Sequence, residues 1–224
     1  RAQIVSDLKY AWEKWSLNPR ITLFLCGSVA SFMVKHLVHS KALHNRKTLE
    51  ICLNPLTPQE TGLFIPKRSA DEKALLYMTV GGVPKYLEQF NPSQSVEKNI
   101  NRLCLSKNGF FVNEFETLFK EQFTSTKTYE TIVRILVKSP QILAQISKNA
   151  QIARGGGLKE QTDNLVRAQF VRDYVPLNIG GGRRTRTKIY KVVDPFLLFY
   201  FSYILPNLEI IQRNENENLF TSIV

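Results

Sequence analysis

The chain has 224 residues, of which 43% are hydrophobic, so it can bury a sizeable core and is too apolar to be disordered over most of its length. Its formal charge of +11 and pI near 9.6 favour polyanionic partners, such as nucleic acid or nucleotide phosphates, although excess charge also aids solubility. The three cysteines include no Cys-x-x-Cys pair, which is more typical of reduced thiols in the cytoplasm than of a disulfide framework.

The first part of the chain predicts an α/β layer. Apolar residues recur at helical spacing from Ile4 to Trp15, and an apolar run over residues 21–26 predicts a strand covered on both faces. We expect a helix over residues 28–38 and a second strand over residues 49–53. Ser28 follows the first strand, where α/β sheets place ligands, but serine is equally suited to cap the next helix.

A helical bundle is predicted next. Thr57-Pro58-Gln59-Glu60 combines an N-cap residue with a proline at the first helical position. Further helices are expected over residues 69–80, 84–90, 95–104 and 113–123. The first two of these meet at Gly81-Gly82-Val83-Pro84-Lys85-Tyr86-Leu87, which joins a permissive glycine pair to a proline suited to the first turn of the second helix. By itself this could be an ordinary turn with a proline helix start.

The following region predicts three helices and then a two-stranded wing, which is the order of a winged helix. The helices are expected over residues 128–138, 142–148 and 158–170, and the strands near residues 171–175 and 188–193. Residues 124–194 carry thirteen lysines and arginines against five acidic residues. The candidate DNA-binding residues are Lys159, Arg167, Arg183, Arg184, Arg186 and Lys188. A solvated basic face and a protein-binding surface remain alternatives, since the third helix also presents acids to its outer side.

Residues 195–206 form the longest apolar run, about half of what a membrane span needs, and predict a buried helix capped by Asp194. We expect no membrane partner. His36, His39 and His44 are the histidines of the chain, but no cysteine or carboxylate lies at suitable local spacing, so no metal ligand is assigned. No residue is assigned a catalytic role.

Taken together, the strand ending in Gly27-Ser28, the segment Gly81 to Leu87 and the run Asp194-Pro195-Phe196-Leu197 are similar in order to the archaeal-type ATPases, a family of the AAA+/STAND class of P-loop ATPases. The resemblance covers nearly all of the chain. It implies a mixed α/β and mostly α fold in four parts: the C-terminal part of an ATPase α/β core (1–56), a helical lid (57–123), a winged helix (124–194) and the start of a nuclease-like domain (195–224).

The resemblance also implies which residues contact nucleotide. Ser28 would sense the γ-phosphate, Gly82 and Pro84 would lie near the base, and Lys85 would reach a phosphate. Arg46 stands near the position of a family arginine, but its neighbours differ, so a surface ion pair is the better interpretation. The cofactors implied for the complete protein are ATP or ADP with Mg²⁺.

The sequence contains no G-x-x-x-x-G-K-[ST] loop and no apolar strand ending in paired carboxylates. The chain alone is therefore expected not to hydrolyse ATP, and the P-loop part becomes an implied partner beside DNA and a possible protein. The main interpretation is the C-terminal portion of an ATPase acting as a nucleotide-dependent switch. The alternatives are a nucleotide-independent DNA-binding or protein-interaction module and a nuclease whose catalytic part lies elsewhere.

Overall fold

The computed structural model describes residues 2–18, 20–27, 46, 48–123, 125–177, 187–213 and 218–223. The fold is mostly helical (61%) with a small three-stranded antiparallel sheet, which confirms the mixed and mainly α class. The chain divides into two compact units, residues 1–53 and residues 54–224.

The first unit contains helix α1 (Ala2–Trp15), as its apolar spacing predicts. The two predicted strands, over residues 21–26 and 49–53, are wrong, because the structure assigns neither segment to a strand. A strand needs a neighbouring strand to receive its backbone hydrogen bonds, and none is present in the described part of this unit. The helix predicted over residues 28–38 lies outside the described residues.

Large apolar side chains are exposed in this first unit to an unusual degree. Among the residues that the structure describes, sixteen large hydrophobic side chains are exposed, and ten of them precede residue 54. They are Tyr10, Trp15, Leu17, Ile21, Leu23, Phe24, Leu25, Leu49, Ile51 and Leu53. Exposed apolar surface is therefore concentrated in the described part of this unit.

The second unit begins with five helices, three of which are capped by a side chain at their N-terminus. These are α2 (Pro58–Thr61), α3 (Ala70–Val80), α4 (Pro84–Leu87), α5 (Val96–Cys104) and α6 (Phe110–Gln122). At α2, the Thr57 hydroxyl accepts from the Glu60 N–H and the Glu60 carboxylate accepts from the Thr57 N–H, so the predicted N-cap is confirmed. Ser69 and Glu72 cap α3 in the same way, and both helices start where local hydrogen bonding satisfies their first amides.

The next part of this unit combines three helices with the sheet. In chain order it contains α7 (Thr126–Lys138), β1 (Gln141–Ile142), α8 (Leu143–Ala150), α9 (Gly156–Arg167), β2 (Val171–Tyr174) and β3 (Ile189–Val192). The strand β3 lies between β1 and β2 and is antiparallel to both. The three helices and the last two strands match the predicted elements, whereas β1 was not predicted.

The final helices pack on the rest of the second unit through aromatic side chains. They are α10 (Pro195–Phe199), a π-helical turn (Tyr200–Ile204), a 3₁₀ turn (Leu205–Asn207), α11 (Leu208–Arg213) and α12 (Leu219–Ile223). Tyr200 stacks on Phe115 at 4.6 Å between ring centroids, and Phe196 lies 5.5 Å from Phe111. The apolar run over residues 195–206 is therefore core, as predicted.

Candidate functional site

The turn after α3 and the short helix α4 together form residues 81–87, called the turn below, and are the part of the predicted nucleotide site that the structure describes. Gly81 follows α3 with φ 70°, and its N–H donates to the Tyr77 carbonyl at 2.8 Å. Side-chain-bearing residues seldom adopt this backbone conformation, so glycine ends the helix at low cost. A Cβ on Gly81 would also lie 3.1 Å from the Pro195 ring.

Gly82 lies against the backbone of Leu56. A Cβ at Gly82 would be 2.0 Å from the Leu56 carbonyl oxygen and 2.6 Å from its nitrogen, so only glycine fits. The Leu56 N–H donates to the Gly82 carbonyl at 2.8 Å. The turn is thereby joined to the segment that enters the second unit. Sequence reasoning identified the glycine but not Leu56, because the two are far apart in the chain.

Pro84 and Lys85 are both exposed at the start of α4. The Lys85 Nζ lies 5.9 Å from the centre of the Phe110 ring, a weak cation–π distance that leaves the ammonium in solvent. Both side chains are therefore accessible to a ligand. The phosphate-cradling amides that a nucleotide also needs are absent from these seven residues.

Tyr86 anchors the turn in the core. Its hydroxyl donates to the Glu114 carboxylate at 2.9 Å, and its ring lies 5.2 Å from Phe111 and 5.5 Å from Phe196. Burial, followed by the nearby Glu114 charge, raises the pKa of Tyr86 far above its usual value. The phenol therefore stays protonated and keeps donating to Glu114.

Asp194 stands at the other side of this turn. Its carboxylate accepts from the Leu197 N–H at 2.8 Å and caps α10, as predicted. Burial raises the pKa of Asp194 to about 6, against the lowering effect of its backbone hydrogen bonds. Because Gly81 contacts Pro195, residues 81–87 touch both the segment before α2 and the first turn of α10.

Several predicted site residues lie outside the described residues. Ser28 is one, and the wing arginines Arg183, Arg184 and Arg186 are the others. Arg46 is described, and its guanidinium donates to the Glu13 carboxylate at 2.9 Å. The surface ion pair predicted for Arg46 is therefore confirmed.

Three of the candidate DNA-binding residues are described by the structure, and each is paired with a neighbouring polar group. Lys159 donates to Asp163 at 2.7 Å, and Arg167 donates to the Asn164 side chain at 2.9 Å. Lys188 pairs with Asp173 across β2 and β3. The hydrogen bond from Lys188 lowers the pKa of Asp173, and the same contact raises that of Lys188. Two of the predicted cations thus have their charge balanced locally.

A cavity of about 210 Å³ lies beside these pairs. Its lining includes Arg154, Lys159 and Lys188 together with residues 142–144 at the start of α8. Arg154 was not predicted. The sequence feature that could have indicated Arg154 is its position directly before Gly155-Gly156-Gly157, at the start of α9. The backbone of these glycines is accessible, since nothing lies within 4 Å of a Cβ added at any of the three.

Residues 2–18, 20–27, 46, 48–123, 125–177, 187–213 and 218–223 contain no group of three histidines, cysteines or carboxylates placed to hold a metal ion. The three histidines themselves lie outside those ranges. Within the same described part, no helix is both long enough and apolar enough to cross a membrane.

An uncharacterized protein of the archaeon Methanocaldococcus jannaschii is similar to this chain, with 28% identity over 199 residues. The match covers 88% of this chain and 44% of the relative, so the chain spans less than half the length of the relative. No protein-family model matches the chain, and no solved structure matches it.

Proposed function

We propose that this chain is the C-terminal portion of an AAA+/STAND-type ATPase and that residues 81–87 relay nucleotide state to the elements around them. The observation that carries the proposal is the contact of Gly82 with Leu56, made while Pro84 and Lys85 remain exposed. A ligand on the exposed side would push on a turn whose other side contacts both Leu56 and Pro195. Such a turn can convert binding into movement because each contact restrains a different element.

The P-loop and the Mg²⁺-binding carboxylates would come from another polypeptide segment. The exposed apolar residues of the first unit support this part of the proposal, since Leu49, Ile51 and Leu53 alternate at the spacing of a strand. Ser28, which lies outside the described residues, would sense the γ-phosphate in the site so completed, in a cytoplasmic enzyme.

DNA contact is assigned in this proposal to residues 125–194 as a winged helix. The element order helix, strand, helix, helix, strand, strand, with β3 in the middle of the sheet, is that of a winged helix and supports the assignment. Since Lys159 and Lys188 are already paired with acids, the arginines between β2 and β3 would contribute most of the attraction to phosphate.

A second candidate function is a nucleotide-independent protein-interaction module. The observation that favours it is a run of exposed apolar side chains at the end of β2, namely Tyr174, Val175 and Leu177. Leu177 is 89% exposed. Apolar residues at this place suit a protein surface better than a phosphate backbone.

The test of the switch is a calorimetric titration of ADP into the complete protein, with its P-loop present. Pro84→Ala should weaken nucleotide affinity, because the ring that faces the base is removed. Pro66→Ala is the matched control, since Pro66 is an exposed proline outside the turn. Equal ADP affinity for the wild type and both folded variants would reduce residues 81–87 to an ordinary helix start.

A further inference from the structure

A groove between α7 and the π-helical turn contains none of the individual residues named above as nucleotide or DNA contacts. It encloses about 360 Å³, at the lower end of the range for small-ligand pockets. It is lined by Arg134, Val137, Lys138, Phe201, Leu205 and Pro206. The groove is open on one side, so a bound peptide could place one apolar side chain inside while its backbone continues outside.

The lining of this groove combines an apolar floor with a basic rim. Phe201 is buried, and four of the six lining residues are apolar. Arg134 and Lys138 are exposed one helical turn apart on α7, and none of the six lining residues is acidic. Lys138 therefore supplies a positive charge at the edge of the groove, beside Arg134, whose charge Glu130 partly balances, and the apolar floor excludes charge.

Arg134 is held in place before any partner arrives. Its guanidinium carbon lies 5.8 Å from the centre of the Phe201 ring, and its Nη2 donates to the Glu130 carboxylate at 2.7 Å. A side chain fixed by two contacts loses less conformational freedom when it binds a ligand. The π-helical turn beneath it is a rare conformation that occurs frequently at functional sites.

We propose that this groove binds an acidic peptide segment of a partner protein, with one apolar side chain on the floor and neighbouring carboxylates on Arg134 and Lys138. Charge complementarity and the size of the groove select this occupant. Duplex DNA fits poorly, because its backbone carries no apolar group to fill the floor and two cations neutralise few phosphates. The chain's net charge of +11 would assist the approach of an acidic partner.

The experiment measures the fluorescence anisotropy of a labelled peptide that has one leucine flanked on both sides by aspartate and glutamate. A second peptide carries serine in place of the leucine. The binding variant is Lys138→Glu, and the matched control is Lys127→Glu, which makes the same charge change at an exposed position of the same helix outside the groove. Circular dichroism verifies that both variants are folded.

The leucine peptide should bind several-fold more tightly than the serine peptide. Lys138→Glu should weaken binding about tenfold, since it replaces a charge-assisted contact with a repulsive one. Lys127→Glu should change the affinity less than about twofold, because the two charges lie far apart on the helix. Equal losses in the two variants would show general attraction to a basic chain and overturn the proposal. Equal affinity for the two peptides, no binding of either, or loss of duplex DNA binding alone in Lys138→Glu would also overturn it.

Discussion

Replacing Gly82 with alanine tests the contact on which the turn of residues 81–87 depends. The new Cβ would lie 2.0 Å from the Leu56 carbonyl oxygen, far inside van der Waals contact, so the two segments must separate. Overpacking of this kind costs about 1–3 kcal/mol, and loss of the hydrogen bond from the Leu56 N–H costs about 0.5–1.5 kcal/mol. Alanine also lowers the conformational entropy of the unfolded chain, which offsets about 0.4–1 kcal/mol of this loss in unfolding free energy. The net loss of unfolding free energy should be about 2 kcal/mol, within a range of about 0.5–4 kcal/mol.

The assay is urea unfolding followed by circular dichroism, with Gly156→Ala as the matched control. Gly156 opens α9 and has nothing within 4 Å of an added Cβ, so its replacement should be neutral or stabilise the chain by up to about 1 kcal/mol. If Gly82→Ala unfolds at the same urea concentration as the wild type, the close approach to Leu56 is not a feature of the folded protein.

Three further changes have defined outcomes. Asp194→Asn keeps the cap of α10 and removes an acid whose pKa is raised from 3.8 to about 6. Between these two pH values the folded wild type binds more protons than the unfolded chain. Its unfolding free energy therefore falls as the pH rises from 3.8 to about 6, by at most about 3 kcal/mol. Urea titrations at several pH values should show this fall in the wild type and not in Asp194→Asn, and parallel curves would contradict it. Tyr86→Phe loses the hydrogen bond to Glu114 and should lower the free energy of unfolding by about 1 kcal/mol, measured by thermal or urea unfolding. Unchanged stability of this variant would show that the hydrogen bond does not stabilise the folded protein. Binding to duplex DNA should weaken similarly for all sequences, and depend less on salt, when three residues become alanine together: Arg183, Arg184 and Arg186. Anisotropy that is unaffected by this triple change would exclude the wing from the interface and favour the protein-interaction module.

Features that depend on a few neighbouring residues could be predicted from the sequence. The capping pair Thr57 and Glu60, the proline start of α4 and the Asp194 cap each rest on hydrogen bonds or backbone limits within one helical turn. The apolar spacing of α1 also determined its helix. These interactions involve only neighbouring residues, so they do not depend on how the rest of the chain folds.

Contacts between distant segments were decided by the tertiary structure. The glycine pair was visible in the sequence, but its partner Leu56 was not, because a close approach of two backbones leaves no local pattern. The strand β1 is only two residues long and exists through its pairing with β3, so its own sequence carries too little signal. The pairing of Lys188 with Asp173 likewise depends on the register of β2 and β3.

The first unit shows the opposite case, in which the sequence pattern was clear and the fold did not follow it. Residues 21–26 and 49–53 have the apolar character of strands, yet the structure assigns no strand to them. Apolar character determines that a segment seeks burial, whereas strand formation also requires a neighbouring backbone to bond with. The sequence alone thus determined which segments are apolar, and the tertiary structure decided which of them pair with another strand or pack in the core.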